Sequence, residues 1–299
     1  MLQTFDPRNR DLIVNINGEL VHRDHAGVSP FDSTVQNGDG VWEGLRLYNG
    51  RIFKLREHLA RLRSSAAALA YEGVPSDDHI IGELKRTLAA NSMHDGVHIR
   101  LTLSRGVKYT SGLDPRLNTA GCTLIILAEH KPPVYDKRGI SLITASVRRP
   151  PADVLDQRIH SCNQLTSILA KIEANRAGAD DALLLDTRGF IAETNATHVF
   201  IVRDGALHTP TTAACPEGIT RATVIDLCRR HAIGCTVRDI RPEEAPAADE
   251  MFCTGTMGEL VPVIRLDGHP IGSGSAGPVT RRLSDLYREL TANSGEPVT

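Results

Sequence analysis

The chain has 299 residues, about two domains at ~150 residues each, with 41% apolar side chains and 25 Gly. That composition excludes a disordered chain or a fibre, and no apolar run approaches the ~18–20 residues of a membrane helix. A net charge of −2, from 34 basic and 36 acidic side chains, argues against a polyanion-binding surface and hence a nucleic-acid partner.

The first 50 residues read as short strands and turns. Leu12–Ile16 runs into Asn17-Gly18, a hairpin dipeptide, and Tyr48-Asn49-Gly50-Arg51 repeats the signal. The period then changes: Leu55, Leu59, Leu62, Ala66 and Leu69 lie on one helical face, closed by Gly73 and Pro75. Ser76-Asp77-Asp78 reads as the cap and first turn of a second helix with Ile80, Leu84 and Leu88 inward. Val97–Ser104 and Cys122–Ala128 read as strands, and the prolines of Glu129–Pro133 mark a linker. Beyond it, Ile140–Ala145 is a strand. Gln164–Ala177 is a helix with Leu165, Ile168, Leu169 and Ile172 inward and Gly178 as its stop. Ala182–Leu185, His198–Val202 and Glu250–Thr254 are strands, Ile219–His231 is a helix, and Pro278 starts a last helix. The polar tail from Ala292 is expected to fray. Interleaved helices and strands in two blocks predict an α/β (α+β) chain with domains at 1–130 and 131–299.

The six Cys include no C-x-x-C pair, so neither a zinc ribbon nor a redox motif is indicated. Residues 1–6 carry no basic stretch followed by an apolar one, so no secretory signal is read and free thiols in a cytoplasm are expected. The twelve His show no metal spacing. Asn37–Gly44 is Gly-rich, but Glu43 stands where a dinucleotide fingerprint needs Gly. Pro216–Arg221 opens a helix whose backbone N–H groups and Thr hydroxyl suit a phosphate, or form an ordinary helix start. Gly255-Thr256-Met257-Gly258 is a second such loop. Arg61 and Glu193 have plain surface readings, the first with an i, i+4 partner and the second in solvent at a turn.

These pieces in this order resemble the class IV aminotransferases, fold type IV among pyridoxal-phosphate (PLP) enzymes. That group includes branched-chain aminotransferase, D-amino-acid transaminase and 4-amino-4-deoxychorismate lyase. The resemblance runs from about Ile13 to Leu290, through Gly38–Gly44, Glu57–Leu62, Ile99–Thr102, Ala170–Ala174, Gly218–Arg221 and Gly255–Val263. It implies the two-domain fold type IV architecture, with a barrel-like second domain carrying most of the cofactor site. It also implies a homodimer, a small amino or keto acid as substrate, and no membrane partner. Position by position, Arg61 looks like the phosphate-binding Arg, and Ile219, Thr220 and Thr256 look like further phosphate contacts. Glu193 looks like the carboxylate that keeps the pyridine nitrogen protonated. Arg100 matches a position near the substrate carboxylate, and Trp42 one that lines the substrate pocket.

The departure falls at the Schiff-base lysine. The segment before the Ala170–Ala174 motif reads Arg158-Ile159-His160-Ser161-Cys162-Asn163, with His160 at the lysine position. Lys171 lies 11 residues on, about 16 Å along a helix, and is a poor substitute. His198 stands where the family usually has Asn, on the phosphate side. An imidazole cannot form the covalent link to PLP. It titrates near neutrality and can still move protons at the cofactor and at the substrate Cα. The expected function is therefore an enzyme holding PLP or its amine form, pyridoxamine phosphate (PMP), non-covalently. His160 would serve as acid–base in a dehydration, tautomerisation or half-transamination. Three alternatives stand beside it. One is an ordinary branched-chain-type transaminase using another lysine such as Lys108. A second is a cofactor-independent His160 enzyme acting on an anionic substrate. The third is a non-enzymatic pseudo-transaminase.

Overall fold

The computed structural model describes residues 3–298; Met1 and Leu2, part of the N-terminal reading above, lie outside the described residues. The chain forms two compact units. One runs through Pro132 and takes in Ile159–Asn163 and the chain end from Thr291; the other comprises Pro133–Arg158 and Gln164–Leu290. A linear division at 130 assigns His160 to the second block, whereas the five-residue segment containing it clusters with the first.

The first unit is built on antiparallel strands. β1 (Ile13–Ile16) and β2 (Glu19–His22) are joined at Asn17-Gly18, where φ is 52° and 85°, as a two-residue primed turn requires. α1 (Ser33–Asn37) is capped by the Asp32 carboxylate, which accepts from the Thr34 N–H. β3 (Gly40–Tyr48) turns at Asn49-Gly50 into β4 (Arg51–Ile52). α2 (Leu55–Ala68) and α3 (Asp77–Ala90) follow, then β5 (Val97–Ser104) and β6 (Thr123–His130). The sheet order is β4-β3-β5-β6-β1-β2, with a seventh strand from the chain end on the outer side of β4. Leu55, Leu59, Leu62 and Ala66 of α2 are buried in one core with Val41, Leu45, Leu47, Ile99 and Leu101 of the sheet. Ser76 caps α3 as expected, accepting from the His79 N–H. α2 stops earlier than Gly73 predicts. Ala70 takes the left-handed conformation (φ 53°), and the Tyr71 N–H closes the helix on the Ala66 carbonyl at 2.9 Å.

The second unit contains β7 (Ile140–Arg149), α4 (Ala152–Leu155), α5 (Leu165–Arg176), β8 (Asp181–Asp186), β9 (Ile191–Thr194), β10 (His198–Arg203) and β11 (Ala206–Thr209). It continues with α6 (Ile219–Arg230), β12 (Cys235–Val237), β13 (Glu250–Gly255), β14 (Glu259–Leu266), β15 (His269–Pro270) and α7 (Pro278–Asn293). Its sheet is mixed, in the order β12-β11-β10-β13-β14-β7-β8-β9, with β15 on β14. β7 runs parallel to both β14 and β8, and α5 lies on β7 and β8.

Two expectations are corrected. α5 does not bury its large apolar side chains: Leu165, Ile168, Leu169 and Ile172 are 66, 53, 42 and 38% exposed. Ser167, Ala170 and Ala174 face the sheet instead, because the helix packs close through small residues. The stripe and the small-residue face share the same helical period, so periodicity alone chose the bulkier side. The tail from Ala292 does not fray either. α7 continues to Asn293, and β16 (Glu296–Pro297) pairs with β4, with Val298 buried.

Candidate active site

Alternation along β3 puts Val41, Glu43, Leu45 and Leu47 on the buried helix side of the first sheet. Glu43 is the exception in chemistry, a fully buried carboxylate among aliphatic side chains. Such a charge persists only if it is paired. Arg61 meets it with two parallel bonds, Nε to Oε1 at 2.8 Å and Nη2 to Oε2 at 2.6 Å. His58, three residues earlier on α2, donates from Nδ1 to Oε2 at 2.6 Å. Burial by itself raises the Glu43 carboxyl. The Arg61 charge and the bonds from His160, His58 and Arg61 outweigh it and hold Glu43 well below the usual carboxylate range.

The segment Ile159–Asn163 lies antiparallel along the start of β3. The Trp42 N–H donates to the His160 carbonyl at 3.0 Å, and the Cys162 N–H to the Gly40 carbonyl at 2.7 Å. The close approach requires glycine at 40, since a Cβ there would come within 2.3 Å of Thr34 Oγ1 and 3.1 Å of Cys162 Sγ. His160 is thereby fixed beside Trp42, with ring centroids 4.3 Å apart. Its Nδ1 lies 2.5 Å from the Trp42 carbonyl and 3.5 Å from Glu43 Oε1. Both neighbours only accept, so Nδ1 carries a proton; the Arg61 Nη2 contact at 3.4 Å is too long to reverse that assignment. Burial is the largest influence on His160 and lowers its pKa, with Arg61 adding to the effect and Glu43 and the Trp42 carbonyl opposing it. The ring is then neutral at pH 7, with a proton on Nδ1 and a lone pair on Nε2. The Arg100 guanidinium carbon sits 3.5 Å from the Trp42 ring centroid, a cation–π contact. The indole N–H donates to the Ser161 carbonyl at 3.0 Å.

In the second unit, Glu193 is inside β9 rather than in solvent at a turn, and it is buried. Arg149, also buried, reaches it at 2.9 Å and the Ser167 hydroxyl at 2.9 Å. His198 begins β10 opposite Thr254. Its ring lies against Gly218, where a Cβ would come within 2.1 Å of His198 Cδ2, so a larger residue there would require the His198 ring to shift. Gly218 is the N-cap of α6 and makes no side-chain cap, leaving Ile219 and the buried Thr220 in a first turn whose N–H groups its own cap does not satisfy. Thr256 sits half-buried in the turn joining β13 and β14.

The two lysines weighed as substitutes are both engaged elsewhere. Lys108 is buried and donates to Asn37 Oδ1 at 2.6 Å and the Gly112 carbonyl at 2.5 Å. Lys171 contacts the Asp180 carbonyl and lies 3.1 Å from Asp181 Oδ1. Arg61 has Glu43 as its partner rather than an i, i+4 neighbour. Glu43, His58 and Arg149 were missed from sequence. For Glu43 a signal existed, a lone carboxylate in an apolar alternation; Arg149 follows Arg148 and offers none.

Comparison with known proteins agrees with this architecture. The family profile described as amino-transferase class IV matches residues 40–266. The chain is 52% identical over 293 residues to branched-chain-amino-acid aminotransferase-like protein 2 of Arabidopsis thaliana, covering 98% of this chain and 52% of that protein. It thus spans about half the length of the Arabidopsis relatives it matches. It is 33% identical over 275 residues to D-alanine aminotransferase of Bacillus licheniformis, covering 90% of this chain and 94% of that one. The branched-chain amino acid aminotransferase of Thermobaculum terrenum, solved in its PLP form, superposes with a TM-score of 0.85 at 28% identity, covering 95% of each chain. With the profile over most of its length and the fold of solved aminotransferases, the chain belongs to the class IV aminotransferase family.

Proposed function

We propose that this chain is a class IV aminotransferase-like enzyme that holds PLP or PMP without a covalent link. His160 is its acid–base group on a small amino or keto acid, in a dehydration, tautomerisation or half-transamination. One observation supports the reading: His160, at the position the resemblance gives to the lysine, is half-buried with its Nδ1 2.5 Å from the Trp42 carbonyl, and burial lowers its pKa. That anchor fixes the ring plane and directs the Nε2 lone pair away from it, as a general base requires.

The residues present fit such a cofactor. The α6 start lacks a side-chain cap and Thr220 lies in its first turn, an arrangement suited to phosphate oxygens. The Glu193 carboxylate, with Arg149 beside it, suits a protonated pyridine nitrogen. Arg61, Ile219, Thr220 and Thr256 would bind the phosphate, and Glu193 the ring. When bound, the cofactor supplies an electron sink for charge developing at Cα. Glu43 holds the Arg61 fork in one orientation, and Arg100 over Trp42 offers a cation to the substrate carboxylate. His160 takes a proton at Nε2 and returns it. That Lys108 and Lys171 are each held by other acceptors supports this reading over an ordinary transaminase.

A homodimer in the cytoplasm belongs to the same proposal. The exposed stripe Leu165, Ile168, Leu169 and Ile172 is a surface a second copy would cover, and all six cysteines are free thiols, as a reducing compartment leaves them. Sedimentation velocity tests the dimer. For the cofactor, PLP is added, absorbance recorded, and the sample treated with borohydride before peptide mass mapping. The reading expects saturable binding, lost in Arg61→Ala, with no borohydride-fixed adduct. An adduct on any lysine would restore the ordinary transaminase.

A further inference from the structure

Glu193 of β9, His198 at the start of β10 and Cys215 in the segment before α6 converge within the second unit. One ligand-type atom from each lies within 4.8 Å of the others. Cys215 Sγ is 3.9 Å from His198 Nδ1. In a tetrahedral zinc site, metal bonds of ~2.3 Å to sulfur and ~2.0–2.1 Å to nitrogen place those two atoms about 3.5 Å apart. The pair therefore needs to close by only a few tenths of an ångström.

We propose that Glu193, His198 and Cys215 form a binding site for a borderline-soft divalent cation of the Zn2+ class. A thiolate, an imidazole and a carboxylate select such an ion over Mg2+ or Ca2+, which take all-oxygen shells. Three protein ligands leave the fourth position to water or an anion. Glu193 and Cys215 are buried, and half-buried His198 gives the approach from solvent. Arg149, 2.9 Å from Glu193 Oε1, acts as the hydrogen-bonded outer partner that orients the carboxylate. On binding, the Cys215 S–H releases its proton to solvent and a sulfur–metal bond forms, with no change of oxidation state. The ligands at 193, 198 and 215 match no paired Cys/His spacing, so sequence spacing gave no sign of the site.

The site stands on these three residues alone. A consequence rests on the cofactor reading above: an ion on Glu193 occupies the carboxylate assigned to the pyridine nitrogen, so metal weakens PLP binding. The test uses the whole PLP-free chain titrated with Co2+, following the thiolate-to-cobalt charge-transfer band, and with Zn2+ in competition with a chromophoric chelator. The expected result is one ion per chain. The cobalt band is abolished in Cys215→Ser and persists when Cys228 and Cys235 are both replaced by Ser. In His198→Asn the affinity falls by at least the ~10–100-fold that follows loss of an outer-shell partner. Thermal melts confirm that each variant is folded. If Cys215→Ser does not fold, the half-buried His198→Asn decides. No stoichiometric binding, a band that survives Cys215→Ser, or unchanged affinity in His198→Asn would overturn the site. PLP binding by the metal-free chain is measured separately. Its failure counts against the cofactor reading and leaves the metal site standing, whereas equal PLP affinity with and without Zn2+ overturns the competition.

Discussion

Replacing Glu43 by Gln removes the carboxylate bonded to both Arg61 and His58 and leaves the shape of the side chain nearly unchanged. Glu43 is fully buried and the Arg61 side chain is 16% exposed, so the guanidinium would remain in the core without this counter-charge. Breaking a buried pair from one side costs about 3–5 kcal/mol. At ~2–4 °C per kcal/mol for a unit of this size, that is a fall of roughly 6–20 °C in Tm. Arg61→Met is expected to cost a similar amount by orphaning the carboxylate. Glu43→Gln combined with Arg61→Met removes both charges and is expected to lose less than the two singles together. The pH dependence has a definite sign. A carboxyl held below its unfolded value contributes stability that is complete above the unfolded pKa and is lost as pH falls. The gap between wild type and Glu43→Gln should therefore be constant above about pH 5 and narrow below it. Calorimetry across that range measures both quantities. Singles costing under about 1 kcal/mol, or a fully additive double, would refute the view that this pair fixes Arg61.

Four further outcomes follow from the structure. Burial, with Lys131, Arg46 and Arg100 nearby, brings the His98 imidazole down to about 3. The unfolded state then binds the extra proton, so stability falls by about 2 kcal/mol between pH 7.5 and pH 5, and His98→Asn should flatten that slope in urea melts; coincident slopes would contradict it. Ala170, fully buried where α5 meets β7 and β8, has no room for a larger side chain. Ala170→Leu should cost ~1–3 kcal/mol. By contrast, Ile168→Ser should leave the melting of an isolated chain within ~0.5 kcal/mol of wild type and instead weaken self-association in sedimentation. Arg100→Leu, which removes the cation over Trp42, should raise the apparent KM for a carboxylate substrate more than it lowers kcat.

Much of the fold was legible because local chemistry and period agreed. Asn17-Gly18, Ser76 and the Leu55–Ala66 face each specify one structure without help from distant residues. α5 misled because both of its faces repeat at helical spacing, and the sheet chose the small one for close approach. The tail misled because pairing with β4 and a buried valine hold it, neither visible as a pattern in a short polar-rich stretch. Of the positions proposed for the site, those that belong to motifs, Arg61, His160 and Thr220 among them, could be singled out from sequence. What the motifs could not show was who holds them. Glu43 reaches Arg61 across 18 positions, and Arg149 reaches Glu193 from a different strand. Such contacts are made only by tertiary packing.

The proposed role of His160 as the proton carrier is tested most directly by solvent exchange. The PLP-loaded protein and its His160→Gln variant are incubated in D2O with a panel of small L- and D-amino acids, and loss of the Cα proton signal is followed by NMR. The account predicts exchange in the wild type for at least one acid. In His160→Gln the rate falls by ~10²–10⁴-fold, the usual worth of a positioned base, with PLP affinity unchanged. Equal exchange rates in the two proteins would contradict it.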